Sequence, residues 1–227
     1  MSSKQLTIAI DGPAGSGKST ISKRLARTLG YKLVDTGAIY RCVALAANDR
    51  GISDTDPDQL RTLTAALAID FCWDGETNRV RLDGEDVTER IRAPEISDAA
   101  SRYSSVATVR EELLGLQRSL AGAGGAVLEG RDIGTVVCPE APVKFFLDAS
   151  VSERARRRAL ELEQNGLSMS LEQVEADIRQ RDRRDAERDV APLKAAADAI
   201  KIDSTNKDID EVVGCMLAVI RERQAHS

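Results

Sequence analysis

The stretch LTIAIDGPAGSGKSTISKRLARTLG, residues 6–30, holds a strand, a turn and a helix in one uninterrupted run. Leu6 to Ile10 are apolar and partly β-branched, as in a parallel strand covered on both faces. A glycine-rich turn follows at once. Behind it Ile21, Leu25 and Leu29 recur every four residues with charges opposite, an amphipathic helix that Gly30 closes as C-cap. The turn reads Gly12-Pro13-Ala14-Gly15-Ser16-Gly17-Lys18-Ser19-Thr20, a Gly-x-x-x-x-Gly-Lys-Ser motif in the strand-to-helix setting that a phosphate-binding loop requires. In such a loop successive backbone N–H groups converge on phosphate oxygens and the helix N-terminus adds positive potential. Lys18 reaches the outer phosphates, and the Ser19 hydroxyl can ligate Mg²⁺. A nucleoside triphosphate is the expected ligand, whereas the loop alone does not name the reaction.

Outward from that loop, YKLVDTG is a short strand ending at Asp35 and AIYRCVALAANDRG is a helix stopped by Gly51. From about Leu60 the pattern changes. LAIDFCWDG and NRVRLDGEDV are expected to be two antiparallel strands around an Asp-Gly-containing turn from Trp73 to Asn78. Helical spacing resumes through ISDAASRYSSVATVREELLGLQRSLA, punctuated by Gly115, and IDEVVGCMLAVIRERQ is an amphipathic helix. GAVLEGRD, PVKFFLDAS and ADAIKIDST are three further buried-type strands. Strands centred on Leu6, Leu33, Val127, Phe145 and Ile200 and separated by helices predict an α/β fold, a five-stranded parallel sheet with helices on both faces. Residues 1–62, 104–150 and 191–227 are assigned to this core and 63–103 to an inserted subdomain with antiparallel strands. Residues 151–190 hold two highly charged helical runs, which read either as a mobile lid or as a solvated helical pair.

Composition narrows the function. Lys and Arg number 32 against 37 Asp and Glu, a net charge of −5, so a protein that blankets nucleic acid or an acidic membrane is not expected. Aromatic residues make up 3%, too few to stack successive bases of a single strand. Four cysteines lie far apart without a CxxC pair, and the single histidine is His226, which removes zinc sites, His-based triads and a disulfide scaffold. The apolar run at the start is too short for a signal-peptide core. With unpaired thiols and 30% charged residues, a cytoplasmic protein is the expectation.

Two further clusters belong at the carboxyl edges of strands. Asp35-Thr36-Gly37-Ala38-Ile39-Tyr40-Arg41 offers a carboxylate, a hydroxyl, a ring and a guanidinium where a second substrate would sit; equally, Asp35 reads as a helix N-cap and Arg41 as a surface residue. Glu129-Gly130-Arg131-Asp132 stands at the carboxyl edge of the strand centred on Val127. The charged helices carry Arg154, Arg157, Arg179, Arg181, Arg184 and Arg188. Any one of these can simply pair with an acid at helical spacing; the set suits phosphoryl oxygens.

With these residues in place, the chain resembles the bacterial cytidylate kinases of the nucleoside monophosphate kinase family. The matching elements are Gly12 to Ser19, DTGAIYR, Ser101, Arg110, GRDIGTVV at Gly130 to Val137, PVKFFLDAS, IRQRDRRDAERDVAPL and IKIDST, over nearly the whole chain. Thr36 stands where the family pattern has serine and keeps the hydroxyl. The resemblance implies ATP- and Mg²⁺-dependent phosphorylation of CMP or dCMP, with the inserted strands in the monophosphate-binding subdomain. It assigns Gly12 to Thr20 and Arg157 to ATP, and Ser19 to Mg²⁺, otherwise held through water. To CMP it assigns Asp35, Thr36, Tyr40, Arg41, Ser101, Arg110, Gly130, Arg131, Asp132, Arg181, Asp185 and Arg188. Asp132 would accept from the cytosine amino group while Arg110 and Ser101 donate to ring acceptors, a set that uracil mispairs. Arg41 and Arg131 would hold the acceptor phosphate, and Asp185 with Arg181 the ribose hydroxyls. Lys18, Arg131, Arg181 and Arg188 would act on the moving phosphoryl, with no general base needed.

The partners so implied are CMP, dCMP and ATP, with no nucleic acid, no membrane and a monomeric chain. Rivals remain. Another small-molecule kinase on the same scaffold would lack the base-reading set. A guanine-reading switch would need an Asn-Lys-x-Asp motif, whose spacing Asn206-Lys207-Asp208 does not match. RNA binding by the arginine-rich helices runs against the acidic balance.

Overall fold

The computed structural model of the chain describes residues 5–73, 78–164 and 166–226. They fall into two compact units: the first is built from Met1–Leu33 and Ala121–Ser227, the second from Val34–Leu120.

The first unit contains the parallel sheet expected from the apolar runs. β1 (Thr7–Asp11) lies between β6 (Ala126–Gly130) and β7 (Val143–Asp148), and β7 pairs with β8 (Ile200–Asp203), all parallel; β2 (Lys32–Asp35), whose first two residues belong to this unit, forms the other edge. Each of β1, β6 and β7 is almost wholly buried, which explains why they read as continuous apolar stretches rather than alternating ones. Ile8, Ile10, Val127, Val143, Phe145 and Leu147 meet Ile21 and Leu25 of α1 (Lys18–Leu29) and Val212, Met216 and Ile220 of α8 (Ile209–Ala225). Gly30 ends α1 in the left-handed conformation, φ 66°, and its N–H returns to the last turn. The strand order 2-6-1-7-8 reverses direction at β1, so the crevice for a ligand opens at the carboxyl end of β1, where the glycine-rich loop begins.

The charged pair of helical runs forms α6 (Val151–Gln164) and α7 (Leu171–Glu187), the latter opened by a capping box between Ser170 and Gln173. They share only a narrow apolar seam of Ala155, Leu162, Val174 and Ile178, with Val151 and Ala159 beside it. Hydrogen bonds from Arg154 to Ala14 and from Arg157 to Ser204 tie α6 to the rest of the first unit, and one from Arg131 to Asp185 ties α7.

The second unit packs α2 (Thr36–Asp49), α3 (Pro57–Ala66), α4 (Pro94–Tyr103) and α5 (Ala107–Ala121) with an antiparallel sheet of β3 (Ile69–Trp73), β4 (Asn78–Leu82) and β5 (Glu85–Asp86). The pair β3–β4 matches the expected antiparallel strands; the expected turn between them falls at 74–77, outside the described residues. Three features differ from expectation. The helix α3 was not foreseen, although Asp56 caps it through the Gln59 N–H and Pro57 opens it. The long helical run is broken after Tyr103, where Ser104 and Ser105 turn their hydroxyls back onto the Ser101 carbonyl, while Gly115 lies within α5. The short strand β5 joins the sheet beside β4. No described helix is long and apolar enough to cross a membrane.

Phe145, fully enclosed between sheet and helices, is expected to cost about 3–5 kcal/mol when replaced by Ala, against less than about 0.5 kcal/mol for Ile209→Ala at the exposed start of α8. Urea unfolding of the two variants measures the difference.

Candidate active site

The loop after β1 takes its shape from missing Cβ atoms. Gly12 has φ 153°, and a Cβ there would stand 1.9 Å from the Leu147 carbonyl oxygen of β7; Gly15, φ 74°, lies 3.1 Å by the same measure from Arg154. Gly17, φ 91°, starts α1. Inside the loop, Ser16 Oγ donates to the Pro13 carbonyl at 3.0 Å and Lys18 Nζ donates to the same oxygen at 2.6 Å. Lys18 is buried, and burial followed by the charge of Arg131 holds its ammonium pKa well below the usual lysine range, while Glu129, Asp11 and Asp185 pull the other way. Ser19 and Thr20 are exposed at the first turn of α1. Ser19 Oγ donates to Glu129 Oε2 at 2.9 Å.

At the carboxyl end of the neighbouring β6, a ring of alternating charges gathers four of the expected residues. Arg131, which follows Gly130, donates through Nε to Asp185 Oδ2 on α7 at 2.9 Å. Asp132 lies 3.5 Å from the Arg188 guanidinium, and Arg188 is 4.0 Å from Asp185. Asp132, Asp185 and Arg188 are all buried. Arg188, just past the end of α7, also donates through Nε to the Ala191 carbonyl at 2.6 Å. Arg181 is half-buried on α7, one turn before Asp185. Arg157 of α6 does not stand clear of the protein: it donates to Ser204 Oγ at 3.0 Å and to the Ser204 carbonyl at 2.6 Å, and ion-pairs with Glu153.

The second unit holds the other expected residues. Asp35 is the N-cap of α2, accepting from the Ala38 N–H at 2.9 Å with one oxygen and from Arg41 at 2.8 Å with the other. The N-cap reading of Asp35 is met, whereas Arg41 is half-buried rather than a surface residue, and its buried Nε has no hydrogen-bond partner among the described residues, leaving a guanidinium donor for an anion. Gly37 makes room for the clasp, since a Cβ there would lie 3.0 Å from Asp35 Oδ1 and 3.1 Å from Arg41. Thr36 and Tyr40 are buried on α2. The guanidinium of Arg110, buried on α5, stands 5.3 Å from the centre of the Tyr40 ring and donates to the Ser104 carbonyl at 3.1 Å. The buried Ser101 Oγ on α4 has no hydrogen-bond partner among the described residues.

One residue of weight, Glu129, went without a role in the sequence, and Arg154 was counted there only within the arginine set suited to phosphoryl oxygens. Glu129 was visible as an acid closing an apolar strand, but its pairing with Ser19 depends on β1 and β6 being neighbours. Arg154, buried at the start of α6, donates to the carbonyls of Ala149 and Ala14 and ion-pairs with Asp182 at 2.6 Å, tying the loop to α7. For Mg²⁺, the hydroxyl–carboxylate pair Ser19–Glu129 is a fitting oxygen donor set. Among the described residues no cluster of three or more His, Cys, Asp or Glu could hold a metal.

Comparison with known proteins follows this geometry. The sequence profile of a family described as Cytidylate kinase matches residues 8–222. The chain is 53% identical over 221 residues to a cytidylate kinase of Syntrophotalea carbinolica, covering 97% of this chain and 94% of that protein. It is 52% identical over 219 residues to one of Geobacter sulfurreducens, with 96% and 94% covered, and 43% identical over 219 residues to one of Lactobacillus gasseri, with 96% and 95% covered. Among solved structures, an uncharacterised protein of Eubacterium ventriosum superposes with TM-score 0.52 at 16% identity, covering 96% of this chain and 99% of that one. A shikimate kinase of Bacteroides thetaiotaomicron gives 0.50 at 14%, with 96% and 99% covered. At such identities these two speak for the fold alone.

Asp11, at the end of β1, carries a measurable signature. Burial raises its carboxyl pKa to about 6 from 3.8, with Asp132 adding to the rise while the N–H groups of Gly134 and Ile133 and the charge of Lys18 oppose it. The folded chain therefore binds this proton more tightly than the unfolded one, and stability is lost as pH climbs from about 4 through 6. The shift corresponds to about 3 kcal/mol. In urea unfolding at pH 4 and pH 7.5, Asp11→Asn is expected to gain up to that amount relative to wild type between the two conditions, whatever its constant offset.

Proposed function

The chain belongs to the cytidylate kinase family, and from that membership we infer that it transfers the γ-phosphoryl group of ATP to CMP or dCMP, giving ADP and CDP or dCDP. The observation that carries this reading is within the first unit: the register pairing Asp11 with Gly130 sets the phosphate loop and the ring of Arg131, Asp132, Asp185 and Arg188 at the same end of adjacent strands. A triphosphate cradle beside buried and half-buried arginines and buried carboxylates suits transfer between two nucleotides.

The roles follow from chemistry. The attacking atom is a phosphate oxygen that is already an anion, so alignment and charge stabilisation replace a general base. The loop from Gly12 to Thr20 binds ATP, and Arg157 supports that loop through Ser204 and the Ser16 carbonyl, which accepts at 3.4 Å. Lys18, Arg131, Arg181 and Arg188 neutralise oxygens of the transferred group. Ser19, with Glu129 beside it, would hold Mg²⁺ with the remaining contacts through water; when bound, the ion supplies positive charge to the phosphate oxygens. On the acceptor side Arg41 and Arg131 take the phosphate, and Asp185 and Arg181 the ribose. Asp35, Thr36, Tyr40 and Gly130 are assigned to the acceptor by the same family membership. Asp132 accepts from the cytosine amino group, while Ser101, whose hydroxyl lacks a partner in the fold, and Arg110 donate to the ring.

Residues 63–103 serve as the monophosphate-binding subdomain and 151–190 as a lid that excludes water. The protein acts as a monomer in the cytoplasm, consistent with cysteines at 42, 72, 138 and 215 that form no disulfide among the described residues.

Steady-state ADP formation with ATP and Mg²⁺, offering CMP, dCMP, UMP, AMP and shikimate in parallel, tests the assignment. CMP and dCMP are expected to turn over, with UMP lower by about 100-fold in kcat/KM, because its O4 and N3–H invert the pairing with buried charged groups. Asp132→Ala is expected to lower kcat/KM for CMP by about 100-fold, and Ser101→Ala to raise KM for CMP by about tenfold. Turnover of AMP or shikimate in place of CMP would overturn the reading.

A further inference from the structure

Asp11 immediately precedes Gly12, yet its carboxylate serves a different segment from the phosphate loop. Oδ1 accepts from the Ile133 N–H at 2.7 Å and Oδ2 from the Gly134 N–H at 2.8 Å, across 122 and 123 residues of chain. The backbone of the same residue is in register with Gly130 in the β1–β6 ladder. Arg131 and Asp132, the two residues in between, are thus gripped on both sides by Asp11, by its backbone before them and by its side chain after them. Beyond the grip the chain makes one wide turn, Ile133–Val137, in which the Asp132 carbonyl accepts from Val136 and Val137 N–H at 2.9 and 3.1 Å. Gly134 fits closely there: a Cβ would lie 3.2 Å from Lys144 Cδ and 3.4 Å from Asp11 Oδ2. Lys144 closes the far end by donating to the Pro139 carbonyl and to Asp198.

We propose that Asp11 is a positioning residue for base discrimination: its bidentate hold on the Ile133 and Gly134 amides fixes the Asp132 carboxylate where it accepts from the amino group of cytosine. The proposal rests on the base-reading role given to Asp132 above. Asn at position 11 keeps the shape but can accept only one of the two amides and turns an N–H₂ group toward the other. Ala at 134 crowds the same grip from the opposite side without touching the carboxylate chemistry.

The test compares kcat/KM for CMP and UMP, and the Kd for ATP, in Asp11→Asn and Gly134→Ala, with Asp132→Ala as reference and a melting curve for each variant. The CMP-to-UMP ratio is expected to fall about tenfold in Asp11→Asn and about threefold in Gly134→Ala, through a higher KM for CMP, while the Kd for ATP stays within about twofold. An unchanged ratio in a folded Asp11→Asn protein overturns the proposal, as does equal weakening of ATP and CMP, which would place the effect in the phosphate loop. Should Asp11→Asn not fold, Gly134→Ala decides alone, and an unchanged ratio there is fatal. If Asp132→Ala leaves the ratio intact, the base-reading role itself fails. If that variant collapses the ratio while the other two keep it, only the positioning role falls.

Discussion

A single absent Cβ, at Gly12, is what the first unit is arranged around. The loop leaves β1 so close to β7 that a side-chain carbon would meet the Leu147 carbonyl at 1.9 Å, well inside any tolerable contact. That approach lets the chain bend at once into a cradle of backbone N–H groups, with Lys18 folded back onto Pro13 and α1 starting at Gly17. Arg154 then closes on Gly15 and Ala14 from outside, and through Asp182 the same guanidinium reaches α7. Loop shape, sheet pairing and the seat of the charged helices are thus one problem with one solution.

The second physical theme is compensation among buried charges. Taking an ion out of water costs several kcal/mol unless a partner replaces the solvent. Arg131, Asp132, Asp185 and Arg188 meet this cost as two positive and two negative groups in one ring, and Lys18 stands close enough to Arg131 and Asp185 to feel both. On the function proposed above, binding at such a place would be an exchange: a substrate phosphate would take over Arg131 from Asp185, and a base amino group would take over Asp132 from Arg188. Affinity then reflects a difference between two well-satisfied states, which favours discrimination over raw tightness.

What could be read from the residues follows the same division. β1, β6 and β7 announced themselves because strands covered on both faces must be apolar throughout, and the phosphate loop because its glycines are compelled by local backbone geometry. The helix α3 was missed because only Leu60 and Leu63 mark its buried side, although Asp56-Pro57 offered a start signal. The break near Ser104 was misplaced to Gly115 because two serine hydroxyls competing for the backbone leave no signature in apolar spacing. Pairings such as Ser19 with Glu129 or Asp11 with Gly134 were out of reach, since they follow from strand adjacency, which has no local record. The residues proposed to read the base were legible only by resemblance: Ser101 and Arg110 are ordinary helix residues until their burial is known.

The division of the first unit into two chain segments bears on how the protein is made. β1 is synthesised well before both of its neighbours, β6 and β7, which follow the whole of the second unit, and the contact between Asp11 and Ile133 spans 122 residues. Closing so long a loop adds little to the equilibrium cost, because that cost grows only with the logarithm of length, but it slows folding. Until residues beyond 126 emerge, Ile8 and Ile10 belong to an apolar strand with two unsatisfied edges. The hazard of aggregation is therefore concentrated in an interval of synthesis, before the strand that bears the phosphate loop has anything to pair with.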